Sequence, residues 1–293
     1  MSKKVRKLHS ANGVDVAIVV FFSLFVAISL IPALNIFSLS ISDEYATLKN
    51  PGRLFPDFGH ISFVAYRAVF ASTAIYRSLF VSLLVVVVAT FIHMSLTLMV
   101  GFAVSNSNLP GRKAMMLYVL FTVLFSGGLM PTYLTLSSYE LVDTFWVLVL
   151  PNAVNGYNVI LIKNHIANIP KSLVESAEID GANPFIVFLR IILPLCVPVV
   201  ATLSLFCAIG KWNDWTSAYI YIYDSKWLKP FQNVLQDLIV NPDTSNAEGM
   251  DLSHFGVAFQ NALIVIALIP IVLLYLFTQK YLTKGLFIGS VKE

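Results

Sequence analysis

Residues 170–194 read PKSLVESAEIDGANPFIVFLRIILP and lie between two long apolar runs. Ser172 followed by Glu175 has the form of a capping box, in which the hydroxyl accepts from the Glu175 amide and the carboxylate reaches back. Pro170 and Lys171 lie just outside it. Gly181 suits the left-handed position that ends a helix. Asn183 can cap a second helix, with Pro184 at its first position. The stretch predicts a short helix within about 172–181, a sharp turn, and a long helix that continues into the next apolar run.

A helix this short is not stable alone in water. Leu173, Val174 and Ala177 offer apolar contacts, and Glu175, Glu178 and Asp180 surround them with negative charge. Such a helix can insert into a groove on another protein. The alternative is a helix lying on lipid, which favours Lys/Arg-rich faces and repels these acids.

Outward from this stretch, the composition excludes a water-soluble enzyme. Of 293 residues, 57% are hydrophobic and 12% charged, against about 45–50% apolar and about 25% charged in soluble domains. Mean hydropathy is +0.78. A bilayer core needs about 20 apolar residues in a helix. Six stretches meet this, at about 14–40, 76–104, 114–135, 141–162, 186–210 and 257–281. Backbone groups in lipid must pair internally, so each is expected to be a helix. The expected fold is an all-α polytopic membrane protein, one transmembrane domain over 1–293.

The basic N-terminus MSKKVRK precedes an apolar stretch too long for a signal-peptide core, so a retained first span is expected. With the N-terminus in the cytoplasm, Lys3, Lys4, Arg6, Lys7, Arg112, Lys113, Lys163, Lys171, Arg190, Lys280, Lys284 and Lys292 fall inside, twelve against seven in longer outer segments, so both termini are expected in the cytoplasm. A net charge of +3 without a basic stripe excludes nucleic acid as a partner. Cys196 and Cys207, in one apolar run, read as small core residues; no metal site and no catalytic residue is expected.

Glu175-Ser176-Ala177, Gly181 and Ile191-Ile192-Leu193-Pro194 resemble the EAA–G–I-LP signature of bacterial ABC importer permeases, with Ser176 where alanine is common. SGGLMPTYL (126–134), LVDTFWVLVLPNAVNGYNVILIK (141–163), KWNDW (211–215) and QKYLTKGLFIGSVKE at the C-terminus resemble the shorter permease of the carbohydrate-uptake subfamily. Length and loops are compatible with an alginate-type oligosaccharide importer. The resemblance implies that the short helix is a coupling helix, docking on a cytoplasmic ATPase through Ser172, Leu173, Glu175, Ala177, Glu178, Asp180 and Gly181. It also implies a second homologous permease, two ATPase subunits that bind ATP and Mg, an extracytoplasmic binding protein that delivers the sugar, and an inner-membrane location in surrounding lipid.

No G-x-x-x-x-G-K-[ST] occurs, so this chain is not expected to hydrolyse ATP and carries no cofactor of its own. An ion-coupled secondary transporter is the rival reading. Such carriers place ionisable groups in their spans; His93 is the one plain candidate, and a lone histidine there also serves as an interhelical hydrogen-bonding group. An intramembrane hydrolase would need H-E-x-x-H, a nucleophile elbow or paired acids in a span, and none occurs.

Two clusters are candidates for the substrate path. Asn152, Asn155 and Asn158, beside Tyr157, are spaced by three in the fourth stretch. They read as helix-packing amides or as a polar wall, since amides both donate to and accept from hydroxyls. Trp212, Asn213, Asp214 and Trp215 end the fifth stretch, with Tyr219, Tyr221 and Tyr223 following. They read as interfacial anchors or as a surface on which sugar rings stack, with Asp214 bonding hydroxyls or a binding protein. Gly127, Gly128 and Pro131 interrupt the third stretch, as a kink or as a flexible point in the path. The polar segment 224–256, with Pro242, Asp243, Thr244, Ser245 and Asn246, reads as an exposed outer loop.

Overall fold

Apolar residues without a polar side run through Gly13–Ser40 and close it into one long helix, α1. A computed structural model describes residues 13–240 and 256–288. The basic cluster at Lys3–Lys7, the polar segment Pro242–Asn246 and the last residues of the C-terminal motif lie outside the described residues. After α1 come α2 (Glu44–Lys49), α3 (Val64–Ala71), α4 (Thr73–Ser105), α5 (Arg112–Leu124), α6 (Leu129–Ser138), α7 (Phe145–Val149) and α8 (Gly156–Ala167). Then follow α9 (Lys171–Ile179), α10 (Pro184–Val187), a π-helical turn at Phe188–Ile192, α11 (Leu193–Trp212), α12 (Thr216–Tyr221), a 3-10 turn at Lys226–Leu228, α13 (Phe231–Val240) and α14 (Val257–Ile288). Among the described residues the only extended pairing is a single bridge between Ser42 and Ile61. The protein is α-helical.

Among the described residues, four helices are long and apolar enough to cross a membrane: Gly13–Ser40, Thr73–Ser105, Pro184–Trp212 and Val257–Lys280. The third stretch, expected at 114–135, is divided instead into α5 and α6, bent by 119°. Phe125 leaves the helix in extended backbone and Gly128 takes φ 82°, which a glycine adopts without strain. The fourth stretch, expected as one helix over 141–162, is also broken. Its first part is the short α7, its second part is α8, and residues 150–155 between them are not helical. Asn152 there has φ 61°, a left-handed conformation that asparagine tolerates.

Contacts along the chain gather into two compact units, where the sequence suggests one domain. The first unit comprises residues up to Ala71 together with Asp251–Ile266. In it, Asp43 caps α2 by accepting the Ala46 N–H at 2.7 Å, and its other oxygen pairs with His60 Nδ1 at 2.8 Å. The Ala46 N–H, and then His60, hold the Asp43 carboxyl below its ordinary range. Arg53 Nη2 donates to Ala46 O, and Asn35 donates to Pro51 O and Arg53 O, which ties the 41–62 loop to α1. The apolar stretch of α1 is exposed along its length. A helix apolar all round is surrounded by lipid or by another subunit.

The second unit comprises Ser72–Met250 and Ala267 onward. Its core is built by α4, α8 and α11, through Met94, Leu98, Ile162, Ile166, Ile192, Cys196 and Leu203. The approach of α8 is close: a Cβ at Gly101 would stand 2.5 Å from the Ile162 side chain, and one at Gly156 would stand 2.9 Å from Val119 O. The small residues let backbones pack where lipid supplies no hydrophobic drive. The π-helical turn ends just before Pro194, whose ring has no N–H to give and would clash with the carbonyl of a normal turn.

Candidate functional site

The short helix α9 forms at Lys171–Ile179, and Gly181 follows with φ 81°. The Gly181 N–H donates to Glu178 O at 3.0 Å and the Ala182 N–H to Ala177 O at 2.9 Å, the paired bonds of a Schellman ending. Asn183 then accepts the Ile186 N–H at 2.9 Å and Pro184 opens α10. The joint read from the sequence is present.

The capping box is not. Pro170 occupies the cap with its fixed φ of −55°, so the helix starts ahead of the serine and Ser172 already has a helical place. Its carbonyl accepts from Ser176 Oγ at 2.7 Å. Glu175 is left exposed and has no capping role.

The two faces of α9 differ. Val174 and Ala177, with Ala182, pack on the unit's own core. Ala177, expected to face a partner, is therefore turned inward. The outer face shows Leu173, Glu175, Glu178, Asp180 and also Ile179, which is 85% exposed. Sequence reasoning passes over Ile179; the signal is a lone branched apolar residue between two acids.

The asparagines meet at the break in the fourth stretch. Asn155 caps α8, accepting the Asn158 N–H at 3.1 Å. His93 of α4, 5% exposed, bridges the break: Nδ1 donates to Asn152 O at 3.2 Å and Nε2 accepts from Asn158 Nδ2 at 2.8 Å. A neutral imidazole with its proton on Nδ1 satisfies both bonds. The other side of the break is held by Lys211 of α11, whose Nζ donates to Leu148 O at 2.8 Å, at the carbonyl end of α7. The side chains of Asn152, Val154, Asn155 and Tyr157 stay exposed or half-buried.

The end of α11 separates into distinct roles. Trp212 is 2% exposed, and its Nε1 donates to Ala267 O at 3.0 Å. It is neither an interfacial anchor nor a stacking surface; both readings fail because its ring is inside, near Phe231. Asp214 accepts from Ser217 N at 3.0 Å and Ser217 Oγ at 2.6 Å, which fixes the start of α12. Asn213 Nδ2 donates to Ile209 O of its own helix. Trp215 and Tyr219 are exposed and meet edge to face, and Tyr223 is exposed beyond them. Tyr221 is buried against Tyr133.

Two further residues organise the site. Lys211 is one; Asp143, φ 62°, is the other. Asp143 Oδ1 accepts the N–H groups of Tyr223, Asp224 and Ser225, which pins the connection before α7 to the chain after α12. Among the described residues no group of three His, Cys, Asp or Glu is assembled that could hold a metal.

The profile of the family described as "Binding-protein-dependent transport system inner membrane component" matches residues 78–288, which include α9, the break and the end of α11. The chain belongs to this family. The permease is 39% identical, over 95% of its length and 98% of the relative's, to the polygalacturonan/rhamnogalacturonan transport system permease protein YtcP of Bacillus subtilis (strain 168). It is also 39% identical to protein LplC of the same organism, over 99% of each chain. A chain from the crystal structure of a bacterial ABC transporter involved in the import of the acidic polysaccharide alginate superposes with TM-score 0.82 at 26% identity, covering 91% of the permease and 95% of that chain.

Proposed function

We propose that this chain is one of two permease subunits of an ATP-driven importer for an acidic oligosaccharide, and that it forms half of the translocation path. The observation that carries this is the outer face of α9, where Leu173 and Ile179 stand exposed among Glu175, Glu178 and Asp180. An apolar tip ringed by acids, rigidly joined through Gly181 to a spanning helix, fits a basic-rimmed apolar cleft on a second protein. That partner is an ATPase dimer, which binds ATP and Mg; a homologous permease and an extracytoplasmic binding protein complete the complex. α5 with α6 and α7 with α8 are two broken spans, giving six crossings with both termini in the cytoplasm.

ATP closes the ATPase dimer, α9 moves with it, and the Schellman joint passes the motion to α10 and α11. The sugar then crosses along the break at 150–155, where Asn152 and Asn155 meet its hydroxyls. The uronate-polymer relative and the alginate-importer likeness support acidic sugar as cargo. Against the ion-coupled alternative, the bonds of His93 run to a backbone carbonyl and an amide, Asn152 O and Asn158 Nδ2, and reach no acid, which supports a bridging role for its ring.

The test is uptake of labelled oligogalacturonate into vesicles holding the assembled complex, with the binding protein outside. Uptake with trapped ATP and no ion gradient is expected. Uptake driven by a gradient alone would overturn the importer reading.

A further inference from the structure

Lys211 has a property that its capping bond does not use. It stands in the last turn of a spanning helix, half-buried, and its one hydrogen bond among the described residues is to Leu148 O at 2.8 Å. An ammonium has three N–H groups, so two remain. Among the described residues, His60 pairs with Asp43 and Lys229 with Asp237, and neither pair involves Lys211. The acid nearest in sequence, Asp214, acts on the ammonium by charge but makes no hydrogen bond to it, and both its oxygens accept from Ser217. A half-buried cation with one hydrogen bond, to a neutral carbonyl, attracts a further anion strongly, because the local dielectric is low.

Its position supplies the anion. The bond to Leu148 O sets the ammonium beside the last turn of α7, two residues before the break that carries Asn152 and Asn155. We propose that Lys211 is the carboxylate-reading residue of the path, pairing with each uronate as the chain of sugars passes; this rests on the reading above that the break lines the path. A lysine suits a moving ligand. Its compact charge and rotating donors take a carboxylate from several directions, whereas an arginine fork holds one geometry.

The capping role and the reading role separate by substitution. Lys211→Gln keeps a donor for Leu148 O and removes the charge; Lys211→Arg keeps the charge. The probes are tetragalacturonate and its methyl ester, taken up by proteoliposomes of the whole complex with ATP and saturating binding protein. Lys211→Gln is expected to slow tetragalacturonate uptake about tenfold or more, the size of one charge-assisted bond, and methyl-ester uptake less than about twofold. Lys211→Arg is expected to keep acid uptake within about threefold of wild type. Equal loss of both probes in Lys211→Gln, or no loss of either, would overturn the proposal while leaving the importer reading standing. Wild-type uptake of neither probe would overturn both.

Discussion

Asp143 holds Ser225 twice: its Oδ2 accepts the Ser225 N–H at 3.0 Å and the Ser225 hydroxyl at 2.9 Å. Its Oδ1 meanwhile takes three successive backbone N–H groups from Tyr223 to Ser225. One carboxylate thus closes a ring between the approach to α7 and the turn after α12. Asp143→Ala hands those N–H groups to water and should cost about 0.5–1.5 kcal/mol, read as a lower melting temperature of the purified complex. Asp143→Asn, which keeps one acceptor oxygen, should fall between. An alanine variant that melts with wild type would show that the ring carries no stability.

Gly181 has φ 81° and open space where a Cβ would go, so a substitution there strains the backbone without a collision. The strain is about 1–2 kcal/mol for an ordinary residue. Gly181→Val should let the complex assemble and leave ATP hydrolysis unlinked to sugar uptake. Gly181→Asn, whose side chain tolerates the left-handed region, should retain most coupling. Coupled transport at the wild-type ratio in the valine variant would remove the joint from the mechanism.

Trp212 and Trp215 should part company. Trp212→Ala empties a buried site and breaks the bond to Ala267 O; a loss of about 3–5 kcal/mol is expected, seen as poor yield or a depressed melting temperature. Trp215→Ala removes an exposed ring and should leave the melting temperature within error. If it also leaves uptake unchanged, the exposed aromatics at this end take no part in transport.

The 41–62 loop should respond to acid. Folding lowers the Asp43 carboxyl below its ordinary value, so its contribution is complete above about pH 4 and declines as pH falls through the folded value. A spin label on Phe58→Cys should be constrained at pH 6 and mobile near pH 3. With Asp43→Asn added, the label should be mobile at both. A label equally constrained at both pH values in the single variant would exclude this role for Asp43.

The spanning helices and the α9 joint are legible in the sequence because each rests on local rules. Length of apolar run decides the first. Glycine at 181 and the Asn183-Pro184 pair decide the second. The break at 125–128 is announced by Gly127, Gly128 and Pro131, though not its 119° angle, and the break at 150–155 opens at Pro151, a helix breaker set among residues as apolar as Leu150 and Val154. Lys211 on Leu148 O holds the end of α7 and His93 bridges the gap, contacts far apart along the chain. The burial of Trp212 is hidden for the same reason: only the approach of Ala267 shows that its ring is interior. The capping box fails locally, to Pro170, which takes the cap two residues ahead of the serine.

The wide turn at Phe188–Ile192 sets the angular phase of everything beyond it. One residue more per turn offsets the side chains that follow by about 100°. The end fastened to α9 and the far end, finishing at Lys211, are therefore aligned like two gears keyed to one shaft at a fixed offset. Tightening that turn to ordinary pitch would spin α11 about its own axis and swing the ammonium away from Leu148 with scarcely any travel of the helix itself.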